Sequence, residues 1–386
     1  MYSTGIIVEF NPFHNGHLAH IAETRAKTGC KYIVAVMSGN FVQRGEPAIC
    51  NKWLRTKMAL LHGVDLVIEL PVQYVISGAD YFARGSVALL NATGVVDALC
   101  FGSESGNIDE IRAAGKILAT EPLLYKKVLR EGLDSGASFA AAKGMALKAC
   151  LMAEPSKGLL DMPNNGLAME YCKAVELLGS KMEIYTTHRV QGGPSATKIR
   201  KALLEKNKST GTKIVPVDFE NFHDFMPDEV VNILRGVKKF AKLDDFSDAF
   251  RHLLYSKSSV DDLGEGLGNR FKKMCGEFSQ ISDLLSAVKT KRYTFTRLQR
   301  TVLQILLNIS TEDVSDVEYI RVLGFRRDAA DLLSEIVRKA SLPVITNSKD
   351  ADKMLEQEFM AGDIYRLASG ESGGYRSERG AGIVVV

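Results

Sequence analysis

Apolar residues come in short runs through the first half of the chain and at helical spacing through most of the second. The short runs predict strands over Thr4–Glu9, Tyr32–Met37, Leu66–Glu69, Ala98–Phe101, Glu183–Thr187 and Ile214–Val217. Between them, His17–Thr28, Trp53–Gly63, Ala83–Gly94 and Ile108–Thr120 carry helical periodicity. Alternating strand and helix is the pattern of an α/β fold whose parallel sheet is covered on both faces. Each strand runs into a turn rich in Gly, Asn, Pro or Ser, where such folds place their ligands.

Residues 121 to 155 read as helical and alanine-rich, Asp161–Gly166 interrupts, and a helix is predicted over Leu167–Leu178. The segment 121–163 is therefore expected to be a helical insertion. Beyond Val217 the 3.6-residue period dominates, with helices expected over Asp228–Lys238, Phe271–Ala287, Thr296–Leu307 and Arg327–Ala340, then a short strand over Pro343–Thr346. The expected plan is an α/β domain over residues 1–217 and a mainly helical domain over 218–386.

Composition adds limits rather than a function. At 386 residues, with 46% hydrophobic and 25% charged, the chain can bury a large core without metals or disulfides. Six cysteines are widely spaced and form no CxxC pair, so neither a zinc site nor a secreted disulfide framework is expected. No leader peptide and no bilayer-spanning run is apparent, which makes a cytoplasmic protein the expectation. A net charge of +3 leaves a nucleic-acid partner to be decided by local clusters.

The most informative stretch is Gly5-Ile6-Ile7-Val8-Glu9-Phe10-Asn11-Pro12-Phe13-His14-Asn15-Gly16-His17. A strand runs into a Pro-containing turn, and a helix starts near Gly16. His14 and His17, three apart, fall on one face of that helix start. N–H groups there are expected to attract phosphate, and Gly16 allows close approach of a nucleotide. Attack on the α-phosphate of ATP builds charge on phosphoryl oxygens, and two imidazoles aimed at it stabilise that charge without a covalent enzyme intermediate. His-x-x-His alone is unspecific. His-x-Gly-His after a first strand, with Asn-Pro before it, is far more so. A second element, Ser195-Ala196-Thr197-Lys198-Ile199-Arg200, follows Gly192-Gly193-Pro194. Ser195 or Thr197 can cap the helix it opens, with Lys198 and Arg200 expected to face the polyphosphate. No Walker-type P-loop occurs.

These two signatures in this order resemble those of the HxGH nucleotidyltransferases, whose fold is a Rossmann-like parallel-sheet domain of HUP type. Five further runs narrow the likeness: Met37–Ala48 (containing Gln43-Arg44-Gly45-Glu46-Pro47), Asp65–Pro71, Phe101-Gly102-Ser103-Glu104, and later Arg297–Arg300 and Arg321–Phe325. Together they resemble the bacterial tRNA(Met) cytidine acetate ligase family over nearly the whole chain. That resemblance implies an ATP-dependent, AMP-forming ligase. Acetate attacks the ATP α-phosphate to give acetyl-adenylate and pyrophosphate. The N4 amine of the wobble cytidine of elongator tRNA(Met) then takes the acetyl group, giving N4-acetylcytidine and AMP. It places ATP on Ile7, Val8, Glu9, Phe10, Asn11, Pro12, Phe13, His14, Asn15, Gly16, His17, Leu18, Ala19 and His20. It adds Gly102 with Asn164 or Asn165 near adenine and ribose, and Arg189 near the nucleotide. No prosthetic group or protein-held metal is implied. Mg2+ is expected to accompany ATP.

RNA has several candidate contacts. Lys289, Lys291, Arg292, Arg297 and Arg300 surround Tyr293 and Phe295, a mixture of cations for phosphates and rings for unpaired bases. Lys201 lies beside the expected active site, and Arg44 sits in a loop expected at the ligand edge. Two other readings share the ATP loop: a small-molecule adenylyltransferase, and a nucleotide-binding RNA regulator without catalysis. No protein partner is evident.

Overall fold

The computed structural model describes residues 2–152, 154–156, 158–189, 196–206, 219, 222–256, 267–290, 293–310, 314–351, 353–369 and 378–386. The strands are β1 (Ser3–Val8), β2 (Tyr32–Ser38), β3 (Phe41–Val42), β4 (Glu46–Pro47), β5 (Leu66–Leu70), β6 (Ala98–Ser103), β7 (Glu183–His188), β8 (Ile320–Phe325), β9 (Val344–Ile345) and β10 (Val384–Val385). The helices of the first half are α1 (Asn15–Thr28), α2 (Lys52–Leu61), α3 (Val72–Val75), α4 (Ala79–Ala92), α5 (Ile108–Thr120), α6 (Leu123–Asp134), α7 (Phe139–Cys150), α8 (Pro163–Leu177) and α9 (Ala196–Lys206). Those of the second half are α10 (Asp228–Arg235), α11 (Ser247–Ser256), α12 (Leu267–Cys275), α13 (Ile281–Val288), α14 (Phe295–Leu307), α15 (Ala330–Lys339) and α16 (Glu356–Ser369). The expected strand Ile214–Val217 lies outside the described residues.

One main sheet runs β10-β8-β5-β2-β1-β6-β7, with β9 also paired to β8. Strands β5, β2, β1, β6 and β7 are parallel. Numbered among themselves they read 3-2-1-4-5, the doubly wound order, whose ligand crevice opens where the chain leaves β1 in one direction and reaches β6 in the other. The period-2 alternation of the strands sorts their side chains onto two cores. Ile33, Ala35 and Met37 of β2 pack with α1, α2, α9 and α10, whereas Tyr32, Val34 and Val36 pack with α4, α5 and α8. Gly29, at φ 65, closes α1 by donating its N–H to Arg25 O, so the chain turns directly into β2.

The second half is not only helical. β8 pairs antiparallel with β5, Leu66 opposite Phe325 and Glu69 opposite Arg321. A polar knot fastens this seam: Lys52 Nζ lies 2.6 Å from Glu69 and also meets Glu378, and Arg321 bridges the same two carboxylates at 2.9 and 3.0 Å. All four side chains are buried, so each charge depends on the others being there. Helices α11 to α14 and α16 share the apolar cluster under α4, through residues such as Phe250, Phe271, Leu285 and Val302. Two long helical expectations divide. Residues 121–155 hold α6 and α7, broken at Gly136 with φ 84, and the Phe271–Ala287 stretch is broken between Cys275 and Ile281. The predicted Leu167–Leu178 helix begins earlier, with Pro163 in its first turn.

Candidate active site

At the end of β1 the chain turns sharply. Phe10 adopts φ 46, the Asn11–Pro12 peptide is cis, and the buried rings of Phe10 and Phe13 wedge the turn from beneath. Asn11 is anchored on both sides: its Oδ1 accepts from Ile49 N at 2.7 Å, and its carbonyl accepts from Arg200 at 2.8 Å. Arg55 of α2, fully buried, donates to the carbonyls of Glu9, Ser38, Gly39 and Cys50. One guanidinium thus ties together the carboxyl ends of β1 and β2 while leaving its positive charge under the crevice.

His14 is the N-cap of α1. Its Nδ1 accepts from Gly16 N at 3.0 Å, and His17 Nδ1 accepts in return from His14 N at 3.2 Å. This is a capping box built from two histidines. The rings stack with centroids 3.7 Å apart at 23°, and His17 stands edge-on to Phe10 at 5.0 Å. Because each Nδ1 receives a backbone proton, each ring is assigned its proton on Nε2. Both histidines are held neutral. Burial, helped by the charges of Arg189 and Arg200, pushes His14 down to about 4, and burial lowers His17 well below its usual value. His20, one turn on, holds Thr187 Oγ1 at 2.8 Å and is likewise pushed down to about 4 by burial and by Arg189.

One expectation is corrected. The first N–H groups of α1 do not await phosphate, for each has an internal acceptor: Phe225 O for Asn15 (2.9 Å), the His14 ring for Gly16, and His14 O for His17 (2.8 Å) and Leu18 (3.2 Å). The donors this turn presents are the imidazole Nε2–H groups. Val8 lies in the core, Ile7 is half-buried, and Leu18 and Ala19 lie on the exposed side of α1.

The opposite wall comes from the ends of β6 and β7. Arg189 N continues the ladder to Ser103 O at 2.9 Å, and its side chain crosses Gly102, where a Cβ would sit 3.2 Å from Arg189 Cγ. Gly102 is therefore the slot for the Arg189 stem. Arg189 Nη1 donates to Asn164 Oδ1 at 2.9 Å. The neighbouring asparagine differs. Asn165 is buried, its Oδ1 accepting from Glu104 N and Ser105 N and its Nδ2 donating to Gly158 O. Asn164 meets Arg189, whereas Asn165 is a structural clamp.

Glu9, at the lip, accepts from Gln43 N at 2.7 Å, and burial raises its pKa against the opposing pull of Arg55, Arg200 and Arg44. Arg200 also braces the loop, reaching Thr197 Oγ1 at 3.4 Å and lying 3.9 Å from Glu46. Thr197 is exposed, and Ser195 lies outside the described residues. Sequence reasoning gave no role to Arg55 or Glu104. The signal for Arg55 was a cation on the apolar side of α2, in step with Lys52 and Met58.

The doubly wound order, the paired histidines on the first strand-helix turn and an arginine facing them fit phosphoryl transfer. A family model described as HIGH Nucleotidyl Transferase matches residues 1–378. The tRNA(Met) cytidine acetate ligase of Thermoanaerobacter sp. (strain X514) is 40% identical, with 94% of each chain covered. That of Caldanaerobacter subterraneus subsp. tengcongensis is 41% identical over 95% of this chain and 96% of its own. The chain belongs to the tRNA(Met) cytidine acetate ligase family. Its fold agrees: the crystal structure of Thermotoga maritima TmcAL bound with alpha-thio ATP superposes with a TM-score of 0.91 at 32% identity, covering all of both chains. An apo form of the Thermotoga protein gives 0.90 at 31%. Membership in the tRNA(Met) cytidine acetate ligase family makes this chain a ligase of nucleotidyltransferase type.

The basic candidates for RNA separate in this fold. Lys289 and Arg297 are exposed at the junction of α13 and α14, Arg44 is exposed at the tip of the β3–β4 hairpin, and Lys201 is exposed on α9, paired to Glu205 at 3.7 Å. Arg300 is half-buried and donates to Gln43 O at 3.3 Å. Lys291 and Arg292 lie outside the described residues. Of the expected stacking rings, Tyr293 is 7% exposed and covered by Arg297, and Phe295 is half-buried against the core. No helix among the described residues is long and apolar enough to cross a membrane.

Proposed function

We propose that this chain activates acetate with ATP and transfers the acetyl group to N4 of the wobble cytidine of elongator tRNA(Met). An acetate oxygen attacks the α-phosphorus, the bond to pyrophosphate breaks, and acetyl-adenylate forms. The cytidine amine then attacks the acetyl carbonyl, AMP leaves, and the amine proton is released. The observation that carries this reading is the stacked pair His14 and His17, each accepting a backbone proton at Nδ1 and so left with a neutral Nε2–H as its donor. Two fixed donors stabilise charge as it builds on the phosphoryl oxygens and need no reorganisation during reaction. Arg189, oriented by Asn164, closes the site on the β7 side. Gly102 and Asn164 flank the nucleoside end, and Arg44, Lys201, Lys289 and Arg297 meet tRNA phosphates. Mg2+ arriving with ATP would be held largely by the phosphate oxygens of ATP itself.

The test incubates the protein with labelled ATP, acetate and unmodified tRNA(Met). Acetate-dependent pyrophosphate exchange and N4-acetylcytidine in the RNA are the expected results. AMP transfer to a small metabolite, with no dependence on acetate, would overturn the reading.

A further inference from the structure

Glu104 stands just beyond β6, outside the residues so far given to the nucleotide, and both its carboxylate oxygens and its backbone N–H are aimed at α8. Its Oε1 accepts from Asn164 N at 3.3 Å and from Asn164 Nδ2 at 2.5 Å, while Oε2 accepts from Asn165 N at 2.9 Å. Asn165 Oδ1 returns the contact, accepting from the backbone N–H groups of Glu104 and Ser105 at 2.9 and 3.1 Å. The first turn of α8 has no side-chain cap of its own, Met162 standing at that position, so a carboxylate from another element satisfies N–H groups that would otherwise have no partner.

The consequence reaches past the helix. An asparagine amide can point either way, and its neighbours decide which. With Glu104 as a pure acceptor against Nδ2, Asn164 Oδ1 is turned outward, where Arg189 Nη1 donates to it at 2.9 Å. Flipped, Asn164 would set an NH2 group against the guanidinium, two donors facing each other. Arg189 has its stem in the Gly102 slot and its charge within reach of His14, His17 and His20, so its head-group direction bears on the whole site.

We infer that Glu104 is a positioning residue for nucleotide binding: through Asn164 it sets the direction of the Arg189 guanidinium that meets ATP. The inference rests on the proposed reading of Arg189 as a nucleotide contact. Glu104 touches no substrate itself. Its carboxylate matters as an acceptor on both oxygens, which an amide of the same shape cannot imitate.

The test uses the full-length protein and acetate-dependent pyrophosphate exchange, comparing wild type with Glu104→Gln, Glu104→Asp, Asn164→Ala, Arg189→Ala and the Glu104→Gln/Asn164→Ala double variant. Glu104→Gln should raise the KM for ATP about tenfold while the KM for acetate stays within about twofold. Glu104→Asp, still an acceptor on both oxygens, should recover most of that loss. In the Asn164→Ala background, Glu104→Gln should add nothing further to the KM for ATP, because the link it acts through is gone. A merely structural carboxylate would lower the amount of active enzyme and leave KM unmoved. A KM for ATP unchanged in Glu104→Gln, or a full additive effect in the double variant, overturns the inference. If Arg189→Ala also leaves the KM for ATP unchanged, the nucleotide site falls with it; if Arg189→Ala raises it and Glu104→Gln does not, only the relay falls.

Discussion

Gly45 packs backbone to backbone against Arg300: a Cβ on Gly45 would lie 2.7 Å from Gln299 Cβ and closer still to Arg300 N. Gly45 also adopts φ 83, in the region that side chains disfavour. The contact closes a circuit. Arg300 donates to Gln43 O, Gln43 N donates to Glu9 at the lip of the site, and Gln299 donates to Glu46 at 3.0 Å. The β3–β4 hairpin is thereby wedged between the active-site loop and α14.

Gly45→Ala should lift the hairpin off α14. Strain and the displaced backbone together are expected to cost about 2–4 kcal/mol of stability, read from urea midpoints. A variant as stable as the parent would mean the hairpin does not bear on α14.

His17→Ala removes one Nε2–H donor and the acceptor for His14 N. The acetate-dependent exchange rate should fall about 100- to 1000-fold, with a stability loss of only about 1 kcal/mol from the weakened cap. Exchange near the parental rate would remove the histidine pair from the mechanism.

Acid should destabilise the free protein earlier than its carboxylates require. His14 and His20 are held near 4 in the folded chain, below the ordinary histidine value of about 6.5. Between those values the unfolded chain takes up protons that the folded chain refuses. Stability contributed here is complete above about pH 6.5 and declines as pH falls toward 4. The slope of unfolding free energy against pH in that window should become shallower in His20→Gln. An identical slope in parent and variant would mean that His20 titrates normally.

Reversing charge at Lys289 and Arg297 should weaken tRNA binding and reduce its salt dependence by about two phosphate contacts, leaving the KM for ATP as it was. Parallel losses in tRNA and ATP binding would point to damage of the α13–α14 junction instead.

What the sequence made legible was local. The β1 turn with His14 and His17, the five parallel strands at its centre and the helices between them follow from motifs and periods that lie along the chain. The supports of the site did not, because their partners are distant in sequence and mostly main-chain. Arg55 is defined by carbonyls of Glu9, Ser38, Gly39 and Cys50, and a carbonyl carries no residue identity to read. The different duties of Asn164 and Asn165 emerge only when Glu104 is seen between them. Strand β8 escaped notice because Arg321 and Gly324 interrupt its apolar run; Arg321 is accommodated there by Glu69 and Glu378, 252 and 57 positions away.

The pairing of β8 with β5 also has a bearing on how the protein is made. During synthesis β5 leaves the ribosome some 250 residues before the strand that will cover its outer side, Leu70 and Ile320 marking the interval. For that whole period the nascent sheet presents Leu66, Val67 and Ile68 on a bare margin, the kind of surface that recruits other strands. A chain stopped short of residue 320 keeps the histidine turn and yet has no lasting protection for the sheet beneath it.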